Sequence, residues 1–187
     1  MYWYTKHLPK KLAMAGLLAI AFFSCSSPAP QQHINGIQQE LFDIPSFIQQ
    51  QIDSLKQANP TINKTVIKDM QEETKALPIK DWESEFSSFK AIDLNKPAYA
   101  GFIDIDTVDG VLEYNFTNPD LDLSCVRIAF DDQGKVKMLS VDKHVHNTLY
   151  QTSEFLVYET GNFYIVEKNQ KVLLMGDNYY KVQGNLK

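Results

Sequence analysis

The pattern of apolar and polar residues changes twice along the chain. An uninterrupted apolar run covers Leu12 to Phe23, and a segment with helical spacing follows between Ile44 and Leu55. From Tyr99 onward, short stretches that alternate apolar with polar residues are separated by turn residues. Residues three or four apart share one face of a helix, whereas alternation is typical of a strand with one buried face. The pattern therefore predicts N-terminal helices followed by a sheet.

Two segments have the spacing of amphipathic helices. In the first, Asp43 is placed to cap the N-terminus, and Asn59 with Pro60 supplies a stop. In the second, Asp81 precedes a face of aromatic residues. The predicted buried positions are Ile44, Phe47, Ile48, Ile52 and Leu55 in the first helix and Ile79, Trp82, Phe86 and Phe89 in the second.

The remaining segments predict strands joined by tight turns. A hairpin is expected between Thr61 and Ile79, with its turn near Gln71 and Glu72, and eight strands are expected after Tyr99. Connections this short force neighbouring strands to be antiparallel, because a parallel crossover needs a dozen residues or more. Further core candidates are Leu112, Tyr114, Phe116, Phe155, Val157, Phe163 and Ile165.

These elements indicate an α+β fold. We expect the N-terminal helices to pack on one face of a strongly curved antiparallel meander sheet. So many strands cannot stay flat, since each is rotated against its neighbour. The expected result is a half-barrel or a closed small barrel.

The N-terminus has the composition of an export signal. Lys6, Lys10 and Lys11 precede the apolar run, whose 12 residues fall short of the ~20 that cross a bilayer but suit a signal peptide. Ser24 and Cys25 follow the run directly, and a stretch of small and polar residues comes after them. This pattern resembles a bacterial lipoprotein signal. The alternative is an ordinary signal cut elsewhere, with Cys25 an ordinary thiol.

The lipoprotein resemblance implies cleavage before Cys25 and a diacylglycerol on its sulfur, often with an N-acyl chain such as palmitate. Two or three acyl chains hold a protein almost permanently on a membrane. Phe22 and Phe23 depart from the usual leucine and small residue of the cleavage motif. The expected organisation is a signal peptide at 1–24, a flexible tether at 25–33 and a single α+β domain at 34–187.

The net charge of the mature chain limits the classes of partner that it can bind. Loss of residues 1–24 leaves 15 basic against 23 acidic residues, a net charge of about −8. Nucleic-acid affinity comes largely from neutralising phosphates, so a nucleic-acid partner is excluded. General electrostatic adhesion to anionic lipid is likewise disfavoured, which leaves the acyl chains as the expected anchor.

Two candidate metal sites fail on spacing. An EF-hand loop begun at Asp104 puts Val108 where an oxygen ligand is required. His144 and His146 share one face of an extended segment, but a structural zinc site needs four ligands. We therefore expect neither a metal nor a cofactor, and place the two histidines on the surface at a strand end.

No catalytic motif stands out. The Gly-x-Ser-x-Gly pattern and glycine-rich phosphate loops are absent from the sequence. Cys125 lies among Leu123, Val126 and Ile128, which predicts a buried, unreactive thiol in a strand. A Cys125–His144 dyad is left open by the spacing. We expect no catalytic residue and no enzymatic activity.

Two tripeptides resemble the acidic–hydroxyl–aliphatic acceptor for O-glycosylation of exported proteins in Bacteroidota. They are Asp53-Ser54-Leu55 and Asp106-Thr107-Val108. Ser54 falls in a predicted helix, whereas Thr107 lies near a turn. Thr107 is the better candidate.

Four stretches, "FDIPSFIQQQIDSLKQANPTINKTV", "IKDWESEF", "DLNKPAYAG" and "QKVLLMGDNYYKVQG", together resemble a group of small, uncharacterised envelope lipoproteins of Bacteroidota. The resemblance covers most of the mature chain and includes no catalytic motif. It implies an envelope lipoprotein that is anchored in the outer membrane or at least faces the periplasm. Ser26 in place of aspartate agrees with that destination under the enteric sorting rule.

Three functions remain open at this point. The first is a tethered binding module that engages an envelope protein through its sheet edge or helix face. The second is a carrier that holds a lipophilic ligand inside the curled sheet, which requires an apolar cavity of several hundred Å³. The third is an enzyme of unrecognised type. The first is expected, with the membrane as a further contact through the lipid anchor.

Overall fold

The computed structural model describes residues 40–173 and 176–186. These residues belong to one compact unit, Glu40–Lys187. The predicted signal peptide, tether and Cys25 lie outside the described residues. The helices are α1 (Ile44–Ala58), α2 (Trp82–Glu85), α3 (Ser87–Lys90) and a 3-10 turn (Pro97–Tyr99). The strands are β1 (Thr61–Lys68), β2 (Gln71–Pro78), β3 (Ile103–Val108), β4 (Val111–Phe116), β5 (Leu123–Phe130), β6 (Val136–His146), β7 (Tyr150–Glu159), β8 (Phe163–Val172) and β9 (Gly176–Asn185).

All nine strands form one antiparallel sheet in the order β2-β1-β9-β8-β7-β6-β5-β4-β3. Strands β3 to β9 are a meander, in which each strand pairs with the next one along the chain. The β1–β2 hairpin joins this meander at its far side, where Asn63 pairs with Asn185 and Lys68 with Tyr180. The expected α+β class and antiparallel pairing are confirmed.

The described sheet is open. Its two edge strands, β2 and β3, each have one paired neighbour. The closed small barrel, one of the two expected forms, is therefore not formed by the described strands. In a closed barrel these two edges would pair with each other.

Helix α1 begins and ends where its local sequence dictates. The side chain of Asp43 accepts a hydrogen bond from the backbone N–H of Ser46 at 2.9 Å, and Asn59 takes the left-handed conformation at the C-terminus. Ile44, Ile48 and Ile52 on one face are fully buried against the sheet. Both predicted caps are confirmed.

Helices α2 and α3 fill the space over the sheet with aromatic rings. Asp81 caps α2 through Ser84, as the sequence predicted. The ring of Phe86, fully buried, lies 5.7 Å from that of Trp82, 5.3 Å from Tyr158 and 5.1 Å from Tyr164. Burial raises the pKa of Tyr158 to about 12. This cluster is the centre of the core.

One ion pair fixes Tyr164 within the core. Its hydroxyl donates to Glu85, whose carboxylate also accepts from the ammonium of Lys64 at 2.6 Å. Burial and this hydrogen bond raise the pKa of Tyr164 well above that of a free tyrosine. Helix α2 is thereby joined to both β1 and β8.

Two expectations about the strands are wrong in detail. In the described part of the chain, seven strands and not eight follow Tyr99, because "FYIVEKN" and "QKV" form the single strand β8. Asn169 and Gln170 resemble a turn in sequence but pair with Ser153 and Thr152 within the sheet. The first hairpin turns at Asp69 and Met70, slightly before the predicted position.

The prediction of which residues of β7 and β8 face the core is also wrong. Leu156 and Tyr158 face the helices, so alternation places Phe155 and Val157 on the opposite face. Phe155 is 39% exposed, although Val157 is buried between its sheet neighbours. Phe163 and Ile165 of β8 share that outer face and are half-buried.

Among the described residues, no helix has the length and apolarity that a bilayer crossing requires.

Candidate functional site

A groove runs between α1 and the ends of β6 and β7. Phe42 and Phe47 flank the Asp43 cap and pack together with their centroids 5.9 Å apart, which is the hydrophobic staple that often fixes the entry of a helix. Phe42 also contacts Phe130 at 6.4 Å. The staple thereby orients the first turn of α1 against the β5–β6 hairpin. We call the space between them the α1 groove.

The α1 groove has a volume of about 540 Å³ and is open to solvent. It is lined by Phe42, Asp43, Ser46, Phe47, Gln50, Gln51, Lys135, Val136 and Thr160. Gln51 accepts a hydrogen bond from the hydroxyl of buried Tyr158 at 3.0 Å, so the groove reaches the core. Hydrogen bonds from Ser46 lower the pKa of the Asp43 carboxyl, which keeps it ionised as a cap. The other polar lining groups are mainly neutral amides and hydroxyls.

A second concave surface lies at the other end of the helix-facing side of the sheet. This distal pocket has a volume of about 260 Å³. Its lining residues are Lys143, Val145, Tyr150, Thr152, Glu154, Lys168 and Gln170. The ammonium of Lys143 lies 3.3 Å from the carboxylate of Glu154, and both side chains are less than one-fifth exposed. The pocket is therefore polar, with one partly buried ion pair at its base.

Beyond the distal pocket, an exposed apolar residue of the β6–β7 loop lies beside another that directly follows β8. Leu149 is 68% exposed in the β6–β7 loop, and Leu173 is 64% exposed at the end of β8. The backbone N–H of Leu173 donates to the carbonyl of Leu149 at 2.9 Å, which joins the two loops. We call Asn147–Tyr150 together with Leu173 the hairpin tip.

The sequence-predicted glycosylation candidate lies on an edge strand. Thr107 is exposed on β3, opposite Leu112 of β4. The other candidate, Ser54, lies within α1 and donates to the carbonyl of Gln50. Exposure makes the Thr107 hydroxyl accessible, and its modification stays a prediction.

The two strand-end histidines are exposed, as the sequence predicted. His144 and His146 lie on the outer face of β6, where the Nδ1 of His144 is 3.1 Å from the hydroxyl of Ser153. In the described ranges, no three His, Cys, Asp or Glu side chains are grouped closely enough to hold a metal ion.

Cys125 is buried in β5, as expected from its apolar neighbours. Burial is the main cause that raises the pKa of its thiol, and nearby Arg127 acts in the opposite direction. Arg127 itself bridges Glu113 and Asp142 across three strands. Because the thiolate is the reactive form, a thiol with a raised pKa is a poor nucleophile.

Sequence reasoning missed both the α1 groove and the hairpin tip. The staple pair Phe42 and Phe47 was available as a signal, since two aromatic residues flank the Asp43 cap. The run "QKVLLM" around Leu173 has the composition of a strand, and the sequence alone does not distinguish an exposed leucine from a buried one. Only the pairing of β7 with β8 places Leu149 beside Leu173.

No family model, curated protein or solved structure matches this chain.

Proposed function

We propose that the chain is a lipid-anchored lipoprotein of the bacterial envelope whose α+β domain is a non-enzymatic binding module for a protein partner. The observation that carries the anchor is the 12-residue apolar run that stops two residues before Cys25, with basic residues before the run and small, polar residues after the cysteine. We place the domain on the periplasmic side, with the acyl chains in the outer membrane. Diacylation supplies a nearly permanent attachment without a membrane-spanning segment.

Metabolic labelling with an alkynyl fatty acid tests the anchor. We expect the parent chain to incorporate the label and to begin at Cys25 by mass spectrometry. Cys25→Ser should abolish the label, because no thioether can form. The matched control is Cys125→Ser, which removes the other cysteine of the chain and should leave labelling unchanged. An unlabelled parent chain that retains residues 1–24 would contradict the proposal.

The α1 groove supports the binding role. An apolar floor from Phe42, Phe47 and Val136 can accept apolar side chains of a partner, while Gln50 at its edge can both donate and accept hydrogen bonds. This combination suits an extended peptide segment, whose backbone needs hydrogen-bond partners on both sides. The volume of the α1 groove is in the range of ligand-binding sites. We therefore assign the predicted helix-face contact to this groove.

Photocrosslinking in intact cells tests the groove. A crosslinking amino acid at exposed Gln50 should give a defined protein adduct. The same substitution at Gln57, on α1 but outside the groove, is the matched control and should give none. Ser46→Arg, which places a bulky side chain in the groove, should remove most of the Gln50 adduct. Equal adducts at positions 50 and 57 would count against the groove.

Two further features belong to this proposal. We infer a half-barrel curvature of the sheet, supported by the register shifts of β5 against β6, since β-bulges bend a strand and increase its twist. We also retain Thr107 as an O-glycosylation site, supported by its exposure on β3.

A further inference from the structure

We propose that the hairpin tip inserts into the surface of a phospholipid bilayer and gives the domain a second membrane contact besides its anchor. This inference rests on the proposed lipid anchoring for the choice of a membrane as the occupant. Leu149 and Leu173 are each about two-thirds exposed and lie side by side. Exposed apolar residues in a group mark interaction sites, whereas single ones are ordinary.

The tip projects clear of the rest of the domain. The last residue of β7 that packs in the main core toward the tip is Leu156, and the strand continues from there to Tyr150. Six residues of strand span about 20 Å. No described helix packs on the distal pocket, whose lining comes from β6, β7 and β8. A flat membrane surface can therefore contact the tip without contacting the helices.

Four of the five backbone N–H groups of the tip are hydrogen-bonded internally, which lowers the cost of entering an apolar layer. The side chain of Asn147 accepts from the N–H groups of both Leu149 and Tyr150 at 2.9 Å. The N–H of Asn147 donates to the carbonyl of Tyr150, and that of Leu173 to Leu149. Four N–H groups of the tip are thus satisfied without water.

From Tyr150 of the tip inward, the residues have the order found at membrane interfaces. Tyr150 follows Leu149 directly and lines both the tip and the distal pocket. Lys168 and Lys171 lie further back on β8, and Asp177 stands near Lys171. Aromatic residues prefer the headgroup level, and lysines extend to the phosphates. The acidic net charge of the chain does not oppose this contact, because salt screens charges beyond about 10 Å.

The length of the chain before the domain permits both contacts with one membrane. Phe42, near the first described residue, packs at the opposite end of the sheet against Phe130. Strand β7 spans ten residues, or about 34 Å. The chain from Cys25 to Glu40 can reach roughly 50 Å when fully extended. An acylated Cys25 and the hairpin tip can therefore reach the same surface.

The test uses the full-length protein purified from its membrane and reconstituted in vesicles of phosphatidylethanolamine and phosphatidylglycerol. A fluorophore sensitive to polarity is attached at Leu173→Cys, with Gln133→Cys as the control at the opposite end of the sheet. Buried Cys125 contributes little labelling, since burial raises the pKa of its thiol. We expect bromine atoms on the acyl chains to quench the label at 173 and not at 133. Adding Leu149→Asp should reduce quenching at 173 on the order of tenfold.

Flotation of the vesicles separates this inference from the anchor. If the protein floats but the label at 173 stays unquenched, the tip contact is wrong and the anchor stands. If the protein does not float, the proposed anchor is wrong. Quenching at position 173 with excess vesicles then shows whether the tip contacts the bilayer without an anchor. An emission shift at 173 that rises with protein concentration in the absence of lipid would assign the tip to a second copy of the chain and overturn the proposal.

Discussion

Replacing Phe86 by alanine should lower the free energy of unfolding by about 3–5 kcal/mol, the usual cost of deleting a large buried aromatic side chain. Phe86 is fully buried and contacts the rings of Trp82, Tyr158 and Tyr164. It lies at the junction between α2 and α3, as the C-cap of the first helix and the N-cap of the second. The free energy of unfolding of a domain of this size is about 5–15 kcal/mol in total. The substitution therefore removes a large share of its stability.

Urea unfolding followed by far-ultraviolet circular dichroism measures this loss. Phe155→Ala is the matched control, because it deletes the same side chain from the outer face, where Phe155 is 39% exposed. We expect the control to cost about 1 kcal/mol or less, as for other partly exposed positions. Equal losses in the two variants would show that Phe86 is not at the centre of the core.

Gly184→Ala should destabilise the domain by about 3 kcal/mol, the upper part of the range for overpacking a core. A Cβ at this position of β9 would lie 2.1 Å from an atom of the Tyr164 ring, far inside contact distance. The ring cannot withdraw easily, since its hydroxyl is bound to Glu85 and Phe86 packs beside it. Glycine is required here by close approach of a side chain and not by backbone conformation.

A double-mutant cycle with Tyr164→Leu tests this explanation. If the clash causes the loss, Gly184→Ala should cost at least 1 kcal/mol less when the tyrosine ring is absent. The same urea unfolding measurement serves for all four proteins. Strictly additive losses would mean that the alanine acts through the backbone of β9 instead.

The helices could be predicted from the sequence because their signals are local. Asp43, Asn59 and Asp81 act on residues within one turn of themselves, and all three lie at the predicted helix ends. The buried face of α1 follows from spacing alone. The antiparallel class of the sheet was likewise predictable, since short connections permit no other pairing.

The faces of the sheet could not be predicted in the same way. On β7, Phe155, Leu156, Val157 and Tyr158 are consecutive and all apolar, so alternation carries no information about which pair faces the helices. That choice depends on register with β6 and β8, which is a property of distant residues. The hairpin tip could not be predicted for the same reason, because Leu149 and Leu173 become neighbours only through the pairing of β7 with β8.

The pairing of β1 with β9 has a consequence for the order in which the domain can assemble. These strands lie more than one hundred residues apart in sequence, yet β1 has β9 as its neighbour on one side. The polypeptide is synthesised from its amino end, so β1 cannot pair with β9 until almost the whole chain has been made. Contacts of such long separation slow folding. One edge of β1 therefore stays unpaired until β9 is available, and a product truncated before Gly176 would expose that edge to chaperones and proteases.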